Sequence, residues 1–214
     1  MTTVRFQIAI SLDGFIAGPD QSIENPLGVG GMALHQWLFP LAAFRQLHGE
    51  EGGGEVNAST PVVEGWFRNV GATIMGRSMF GGGPGPWRED SPWAGHWGDN
   101  PPYHMPVFIL THHARAPLQM EGGTTFIFVT DGIESALKQA REVAGDRDIL
   151  LVGGANIIQQ YLAAGLVDEF ELDIVPILVG RGTRLLDNVG DLKLEQVRAI
   201  EAPGVTHINY RVVR

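Results

Sequence analysis

Short apolar runs separated by amphipathic segments follow one another along most of the chain. Runs that alternate or are continuously apolar predict strands, and apolar residues spaced three and four apart predict helices. The predicted strands cover residues 4–11, 72–75, 106–111, 125–130, 148–152 and 169–175, followed by an antiparallel hairpin of residues 194–200 and 205–213. The predicted helices run from about 59 to 70, from about 133 to 143 and from 155 to 164, with Ser59 and Asp131 as N-caps of the first two.

The last predicted strand before the hairpin, residues 169–175, alternates cleanly. Phe170, Leu172 and Ile174 share one face, and the acidic residues share the other, which predicts a strand with one face in water. An apolar stretch, Ile174–Val179, favours an edge strand. Strands that alternate with helices in this order predict a mainly parallel sheet with helices on both faces.

Two segments lack a regular pattern. Residues 19–58 are glycine-rich and contain one apolar piece, His35–Leu47, that predicts a short helix. Residues 81–106 hold six glycines, six prolines and three of the five tryptophans, which is typical of a loop, here one packed through its tryptophans. We therefore expect one domain over residues 1–214, with loop insertions at about 19–58 and 81–105.

Composition excludes several classes of function. The 24 acidic residues exceed the 15 basic ones, and a net charge of −9 argues against nucleic-acid binding and against attachment to anionic membranes. The absence of cysteine excludes disulfides, thiolate nucleophiles and cysteine-based metal sites. No apolar run approaches the ~18 residues of a membrane span, and the N-terminus lacks a secretory pattern, so we expect a cytoplasmic protein.

The strongest local feature is the pair Gly153-Gly154, which joins a buried strand directly to a helix. Glycine allows a ligand to approach the backbone, and the N–H groups at the start of the helix favour an anion such as a phosphate. A tight strand-to-helix turn requires glycine in any case, so both explanations stay open.

Two further strand ends carry groups that bind phosphate. Gly76, Arg77 and Ser78 follow one strand, and the segment Thr111–Arg115 follows the next, with two histidines and an arginine. Ligands of open α/β sheets collect at the carboxyl ends of parallel strands. Each segment alone is more typical of a solvated loop than of a ligand site, whereas together they indicate a cofactor with more than one phosphate group.

The turn after the first strand, Ser11–Gly18, contains Asp13, which is a candidate to orient or protonate a substrate. The alternative is a plain Asp-Gly turn. The seven histidines show no spacing typical of metal ligands, so we expect no metal site.

These motifs, in this order, resemble the dihydrofolate-reductase-like superfamily. They look closest to the C-terminal reductase domain of the bifunctional riboflavin-biosynthesis deaminase/reductase and its stand-alone relatives. Ile8–Gly18 looks like the opening strand and turn of that family, Ala72–Phe80 is similar to its next motif, and Leu151–Leu186 matches its longest block. The resemblance implies a three-layer α/β/α fold with a mainly parallel, roughly eight-stranded sheet and a C-terminal antiparallel hairpin.

The resemblance also implies NADPH as cofactor and a set of residues around it. Gly153, Gly154, Ala155 and Asn156 would lie against the pyrophosphate, and Gly76, Arg77 and Ser78 against the adenosine-side phosphates. Thr111, His112 and Arg115 would lie near the 2′-phosphate, and Ala9, Ile16 and Gly18 would flank the nicotinamide and the substrate.

The implied reaction is hydride transfer to a small nitrogen heterocycle or a related imine or carbonyl compound. Asp13 or Glu64 would hold the acceptor or relay a proton, with Asp13 the stronger candidate. Dihydrofolate reductases carry an acid on the helix before the Met-Gly-Arg strand, where this chain has Val63 with Glu64 next to it, which disfavours dihydrofolate reduction. The alternatives are a non-catalytic NADP(H)- or small-ligand-binding protein on the same fold and, third, a dimeric structural protein. A homodimer is expected because relatives commonly dimerise.

Overall fold

The computed structural model of the protein describes residues 2–50, 52–88 and 93–214. Its strands are β1 (Val4–Ser11), β2 (Phe15–Ala17), β3 (Val70–Gly76), β4 (Pro106–Leu110), β5 (Leu118–Gln119), β6 (Thr125–Val129), β7 (Asp148–Gly153), β8 (Glu169–Val175), β9 (Thr183–Arg184), β10 (Lys193–Ala202) and β11 (Val205–Val213). Its helices are α1 (Ala42–Leu47), α2 (Thr60–Glu64), α3 (Arg77–Phe80), α4 (Ile133–Ala144) and α5 (Ala155–Ala163), with 3-10 turns at Gly31–His35 and Glu121–Gly123.

The described residues form one nine-stranded sheet in the order β10-β11-β8-β1-β7-β3-β4-β6-β5, and β2 pairs separately with β9. The strands from β8 to β6 in that order are parallel. The β10–β11 hairpin is antiparallel and β11 runs antiparallel to β8. This mixed α/β architecture, with a mostly parallel sheet and a C-terminal antiparallel hairpin, confirms the predicted fold class.

Core residues pack on both faces of the sheet, because successive residues of a strand point to opposite sides. Phe6 and Ile10 of β1 pack with residues of α4 and α5. Ala9, on the opposite face of β1, packs with Trp37 of the 19–58 insertion and Val63 of α2. Each helix in the described ranges falls short of the length and apolarity needed to cross a bilayer.

The predicted edge strand at Ile174–Val179 is wrong. β8 ends at Val175 and has a partner on both sides, because the terminal hairpin folds back along it. The prediction of a wet face on β8 is also wrong, since Glu171 and Asp173 are only 4% and 2% exposed. The alternation identified which residues share a face but not what covers that face.

Two predicted helix starts differ from the structure. The first helix is only Thr60–Glu64, and β3 already begins at Val70, so the apolar residues after Gly65 form a turn and a strand start. Ser59 makes no side-chain capping hydrogen bond. The Asp131 side chain also makes no cap: Gly132 occupies the N-cap position of α4 without a side-chain hydrogen bond.

Both insertions pack against the sheet. In the first, the predicted helix at His35–Leu47 is shortened to α1, and Leu34, Trp37 and Leu41 are buried on the Ala9 face. In the second, Trp87, Trp93 and Trp97 pack around Phe80 and Phe126, which confirms a loop packed through its tryptophans. Residues 89–92 of this loop lie outside the described residues.

Candidate functional site

The candidate motifs lie at the carboxyl ends of neighbouring parallel strands. Met75 of β3 is in register with Gly153 of β7, and Gly76 is in register with Leu110 of β4. The strand order therefore brings the turns after β7, β3 and β4 side by side at one edge of the sheet. Such edges of α/β sheets are where ligands bind.

The turn from β7 to α5 is open. Gly153 has φ +115°, a conformation that favours glycine. Gly154 has an ordinary φ of −79°, and a Cβ built on it would meet no atom within 4 Å. α5 has no side-chain N-cap hydrogen bond, so the N–H groups of Ala155 and Asn156 face this space without a capping side chain. Space and donors for an anion therefore meet at Gly154.

Gly76 has a different, structural reason to be glycine. A Cβ at this position would lie 3.2 Å from Cγ2 of Ile157 in α5, so the missing side chain lets α5 pack closely on β3. Of the two residues that follow, Ser78 is exposed and Arg77 is half-buried.

The Arg77 side chain is held by the 81–105 insertion. Its Nη2 donates to the carbonyl oxygens of Gly82 and Gly83, at 3.3 and 2.9 Å. Its guanidinium lies 3.1 Å from the ring centroid of Trp87. Nε and Nη1 of Arg77 are buried without a hydrogen-bond partner. Burial, with a smaller contribution from the nearby Arg115 charge, lowers the pKa of Arg77.

A basic cavity of about 500 Å³ opens beside Trp87. It is lined by Pro86, Trp87, Arg88, His112, His113, Ala114 and Arg115. Two of the three residues that the sequence analysis places after β4, His112 and Arg115, therefore line one cavity. The third, Thr111, is buried, and its hydroxyl accepts a hydrogen bond from the His113 backbone at 3.2 Å.

Asp13 is tied into the turn after β1. Its carboxylate accepts hydrogen bonds from the Ser11 hydroxyl at 2.6 Å and from the backbone N–H groups of Val179 and Gly180 at 3.1 and 2.7 Å. The Ser11 hydrogen bond is the largest of the effects that lower the pKa of Asp13 to about 2. The carboxylate is therefore ionised at neutral pH and links β1 to the segment after β8.

The other candidates around this turn have mixed surroundings. Ala9 and Ile16 are buried, whereas Glu64 is exposed at the end of α2. Gly18 is required by packing, because a Cβ there would lie 1.9 Å from the carbonyl oxygen of Val29. Contact of these residues with a ligand remains a prediction.

The structure adds a buried polar chain that the sequence analysis missed. The Ser59 hydroxyl lies 2.8 Å from Nε2 of His207, and Nδ1 of His207 lies 2.5 Å from Oδ1 of Asp173. The Gln7 amide donates to both carboxylate oxygens of Asp173, at 3.2 and 3.1 Å. Burial raises the pKa of Asp173 against the opposing effect of its hydrogen bond with His207. Trp37 closes over the chain, its ring 5.1 Å from the His207 ring.

The ligand-type atoms of Glu171, Asp173 and His207 lie within 4.8 Å of one another. Both ring nitrogens of His207 are already hydrogen-bonded, and Glu171 forms an ion pair with Arg198. Hydrogen bonding within the protein thus accounts for this cluster. The sequence signal that could have revealed the cluster is the titratable residue His207, which lies between Val205 and Ile208 in the predicted hairpin strand.

Comparison with known proteins places this site in context. The sequence matches the profile of the RibD C-terminal domain over residues 2–208. It is 37% identical over 119 residues to the uncharacterised protein YyaP of Bacillus subtilis (strain 168), a match that covers 52% of this chain and 62% of YyaP. The chain thus spans about three fifths of that relative's length.

Solved structures show the same fold at low sequence identity. RibD of Acinetobacter baumannii has a TM-score of 0.61 at 16% identity, covering 100% of this chain and 59% of that one. Dihydrofolate reductase of Enterococcus faecalis, in complex with NADP(H), has a TM-score of 0.53 at 12% identity, covering 99% of this chain and 97% of that one.

Proposed function

Since the chain belongs to the RibD C-terminal domain family, the riboflavin-pathway reductases, we propose that it is an NADPH-dependent reductase. Its acceptor would be a small nitrogen heterocycle or a related imine or carbonyl compound. The enzyme would transfer a hydride to one carbon of this acceptor and supply one proton.

The open turn at Gly153-Gly154 carries this proposal. The φ of Gly154, −79°, is one that any residue adopts, and no protein atom occupies the space where its side chain would lie. Packing does not explain glycine at position 154, whereas close approach of a ligand does. The uncapped start of α5 supplies N–H donors and the positive end of the helix dipole, which suit a pyrophosphate.

The neighbouring motifs fit the rest of a dinucleotide with an extra phosphate. Arg77 and Ser78 would bind the adenosine-side phosphates, and the two unpartnered N–H groups of Arg77 fit this role. His112 and Arg115 would bind the 2′-phosphate in the basic cavity, with Thr111 holding the His113 backbone. NADPH would supply the hydride.

On the acceptor side, Ala9, Ile16 and Gly18 would flank the nicotinamide and the substrate. Asp13 suits an orienting role, since its pKa of about 2 leaves it ionised. Glu64 is the exposed alternative at the end of α2. The Ser59–His207–Asp173 chain is a further group able to hold a proton, and Ser59 lies one helical turn before Val63, where dihydrofolate reductases have an acid.

The first test is titration with NADPH and NADH by calorimetry. We expect micromolar NADPH binding and NADH binding weaker by at least about tenfold, which is ~1.4 kcal/mol.

Gly154→Val should weaken NADPH binding more than about tenfold without unfolding the protein, because its side chain enters empty space. Ala163→Val, which also enlarges a small side chain but lies at the exposed end of α5, is the control and should leave NADPH affinity unchanged. Unchanged NADPH affinity in Gly154→Val would contradict the proposed cofactor site.

The alternative function, non-catalytic binding of NADP(H) or another small ligand, is favoured by Val63 in the place of an acid. It predicts nucleotide binding without turnover. Oxidation of NADPH in the presence of 5-amino-6-(5-phosphoribosylamino)uracil, of dihydrofolate, or of cyclic imines distinguishes the two functions. Binding with no oxidation across this panel would favour the alternative.

A further inference from the structure

One tryptophan of the 81–105 insertion contacts two guanidinium groups. The guanidinium carbon of Arg77 lies 3.1 Å from the Trp87 ring centroid, and that of Arg115 lies 4.9 Å from the same centroid. Both distances are within the ~6 Å range of cation–π attraction. We propose that Trp87 is a positioning residue that holds Arg115 in the wall of a binding site for a phosphomonoester dianion, while Arg77, on the same ring, adds positive charge nearby. The identification of that group with the 2′-phosphate of NADPH rests on the proposed function.

The Trp87 ring is itself fixed. Its Nε1 donates to the carbonyl oxygen of His113 at 2.8 Å, which ties the insertion to the segment after β4. The ring also meets Phe80 and Phe128 edge-on, at 5.8 and 5.0 Å between centroids. Arg115 is held from a second side, because its Nη1 donates to the carbonyl oxygen of Trp93. The ring is therefore a rigid support and not a freely moving side chain.

The two cations have no carboxylate counterion among the residues that the structure describes. Among the residues that the structure describes, no carboxylate forms an ion pair with Arg77 or Arg115. Two buried N–H groups of Arg77 have no acceptor, and a buried donor without an acceptor destabilises the folded protein. Like charges in an acidic chain are thus brought together at an energetic cost that a bound anion would offset.

The cavity defines the chemical class of this anion. Arg115 and Trp87 line it together with His112 and His113, in a volume of about 500 Å³ that admits a phosphate and an attached sugar. A phosphomonoester carries a charge of about −1.5 to −2 at neutral pH and three acceptor oxygens, so it suits the Arg115 guanidinium beside two imidazole rings better than a carboxylate does. The pyrophosphate would lie elsewhere, at the turn after β7.

Trp87 could alternatively serve only to pack the loop. A packing role would change protein stability and would weaken all nucleotides equally. A positioning role makes a different prediction, because it weakens only ligands that carry the phosphomonoester. The ratio of NADH to NADPH dissociation constants therefore separates the two roles.

The test is calorimetry of Trp87→Leu with three probes: 2′-AMP, NADPH and NADH. We expect 2′-AMP and NADPH to bind at least about tenfold more weakly than to the original protein, with NADH changed less than about twofold. Trp87→Phe, whose ring keeps the cation–π contacts, should recover affinity to within about threefold. Trp97→Leu, in the same loop but packed on Tyr103 and Phe126, is the matched control and should leave the ratio unchanged.

A melting curve for each variant identifies loss of folding. If Trp87→Leu does not fold, Arg115→Gln replaces it and should show the same selective loss. An equal loss of NADPH and NADH affinity, or an unchanged 2′-AMP affinity, would overturn the positioning role.

The outcomes also separate this proposal from the proposed function. Binding of 2′-AMP that depends on Trp87, without binding of either dinucleotide, would keep the phosphomonoester site and reject the reductase. NADPH binding that is insensitive to Trp87 and Arg115 would keep the reductase and reject the site. If the original protein binds none of the three probes, both the phosphomonoester site and the reductase are rejected.

Discussion

At the scale of single residues, hydrogen-bond partners determine what each candidate group can do. The carboxylate of Asp13 accepts from one hydroxyl and two backbone N–H groups, so its charge stabilises the turn between β1 and the segment after β8. The carboxylate of Asp173, in contrast, lies in the core and shares its hydrogen bonds with His207 and Gln7. The hydrogen bonds to Asp13 stabilise its ionised form. The charge of the buried Asp173 depends instead on its hydrogen-bond partner His207.

Asp13 predicts a specific dependence of stability on pH. Because its pKa is lowered from 3.8 to about 2, its contribution is present above pH 3.8 and is lost as the pH falls through about 2. Asp13→Asn should therefore lower the melting temperature at pH 7 and show a smaller decrease between pH 4 and pH 2 than the original protein. Asp187→Asn, at an exposed ion pair with Arg184, is the control. Parallel acid profiles for Asp13→Asn and the original protein would contradict this role.

At the scale of elements, sequence patterns predicted the sheet and missed the cover on one of its faces. β1 spans the predicted residues, and α5 differs from its prediction by one residue, because local periodicity reflects which face is buried. The His207 ring that pairs with Asp173 contacts Trp37, which lies more than a hundred residues away in an insertion without periodicity. Ser59 had the local signature of an N-cap, yet its partner is His207, 148 residues away. The turns of the candidate site were predictable because each follows directly from a strand.

The buried chain joins α2, β8 and β11, so breaking it should destabilise all three. Asp173→Asn removes the charge that faces His207 and should lower the free energy of unfolding by about 3 kcal/mol, as for other broken buried pairs. Ser59→Ala removes only a hydroxyl and should cost about 1 kcal/mol. Urea denaturation measures both. A cost below ~0.5 kcal/mol for Asp173→Asn would show that the chain does not tie these elements together.

At the scale of the whole molecule, charge is distributed unevenly. The net charge is −9, yet arginines and histidines gather at the edge of the sheet where β4 ends. A basic cavity in an acidic protein attracts small anions while the rest of the surface repels large polyanions. This distribution suits a phosphate-bearing small molecule and disfavours nucleic acid.

The exposed edge of the sheet is the surface at which we expect the homodimer to form. β10 is ten residues long, is exposed over most of its length and pairs only with β11 among the described residues. Long unpaired edge strands are normally covered or protected by charge. Light scattering at micromolar concentration should show a dimer, and Val197→Lys on β10 should weaken it. A monomer under these conditions would contradict the proposal.

Gly18 and Gly154 differ in the reason why each position is a glycine. At Gly18, any side chain would collide with the backbone of Val29, so every substitution there should reduce the amount of folded protein. At Gly154, a side chain would meet nothing, so substituted proteins should accumulate normally and fail only when a ligand is required. A library of variants sorted once for abundance and once for nucleotide capture would separate these two kinds of glycine. The same comparison, applied to other positions, would separate residues that the protein requires for folding from residues that it requires for ligand binding.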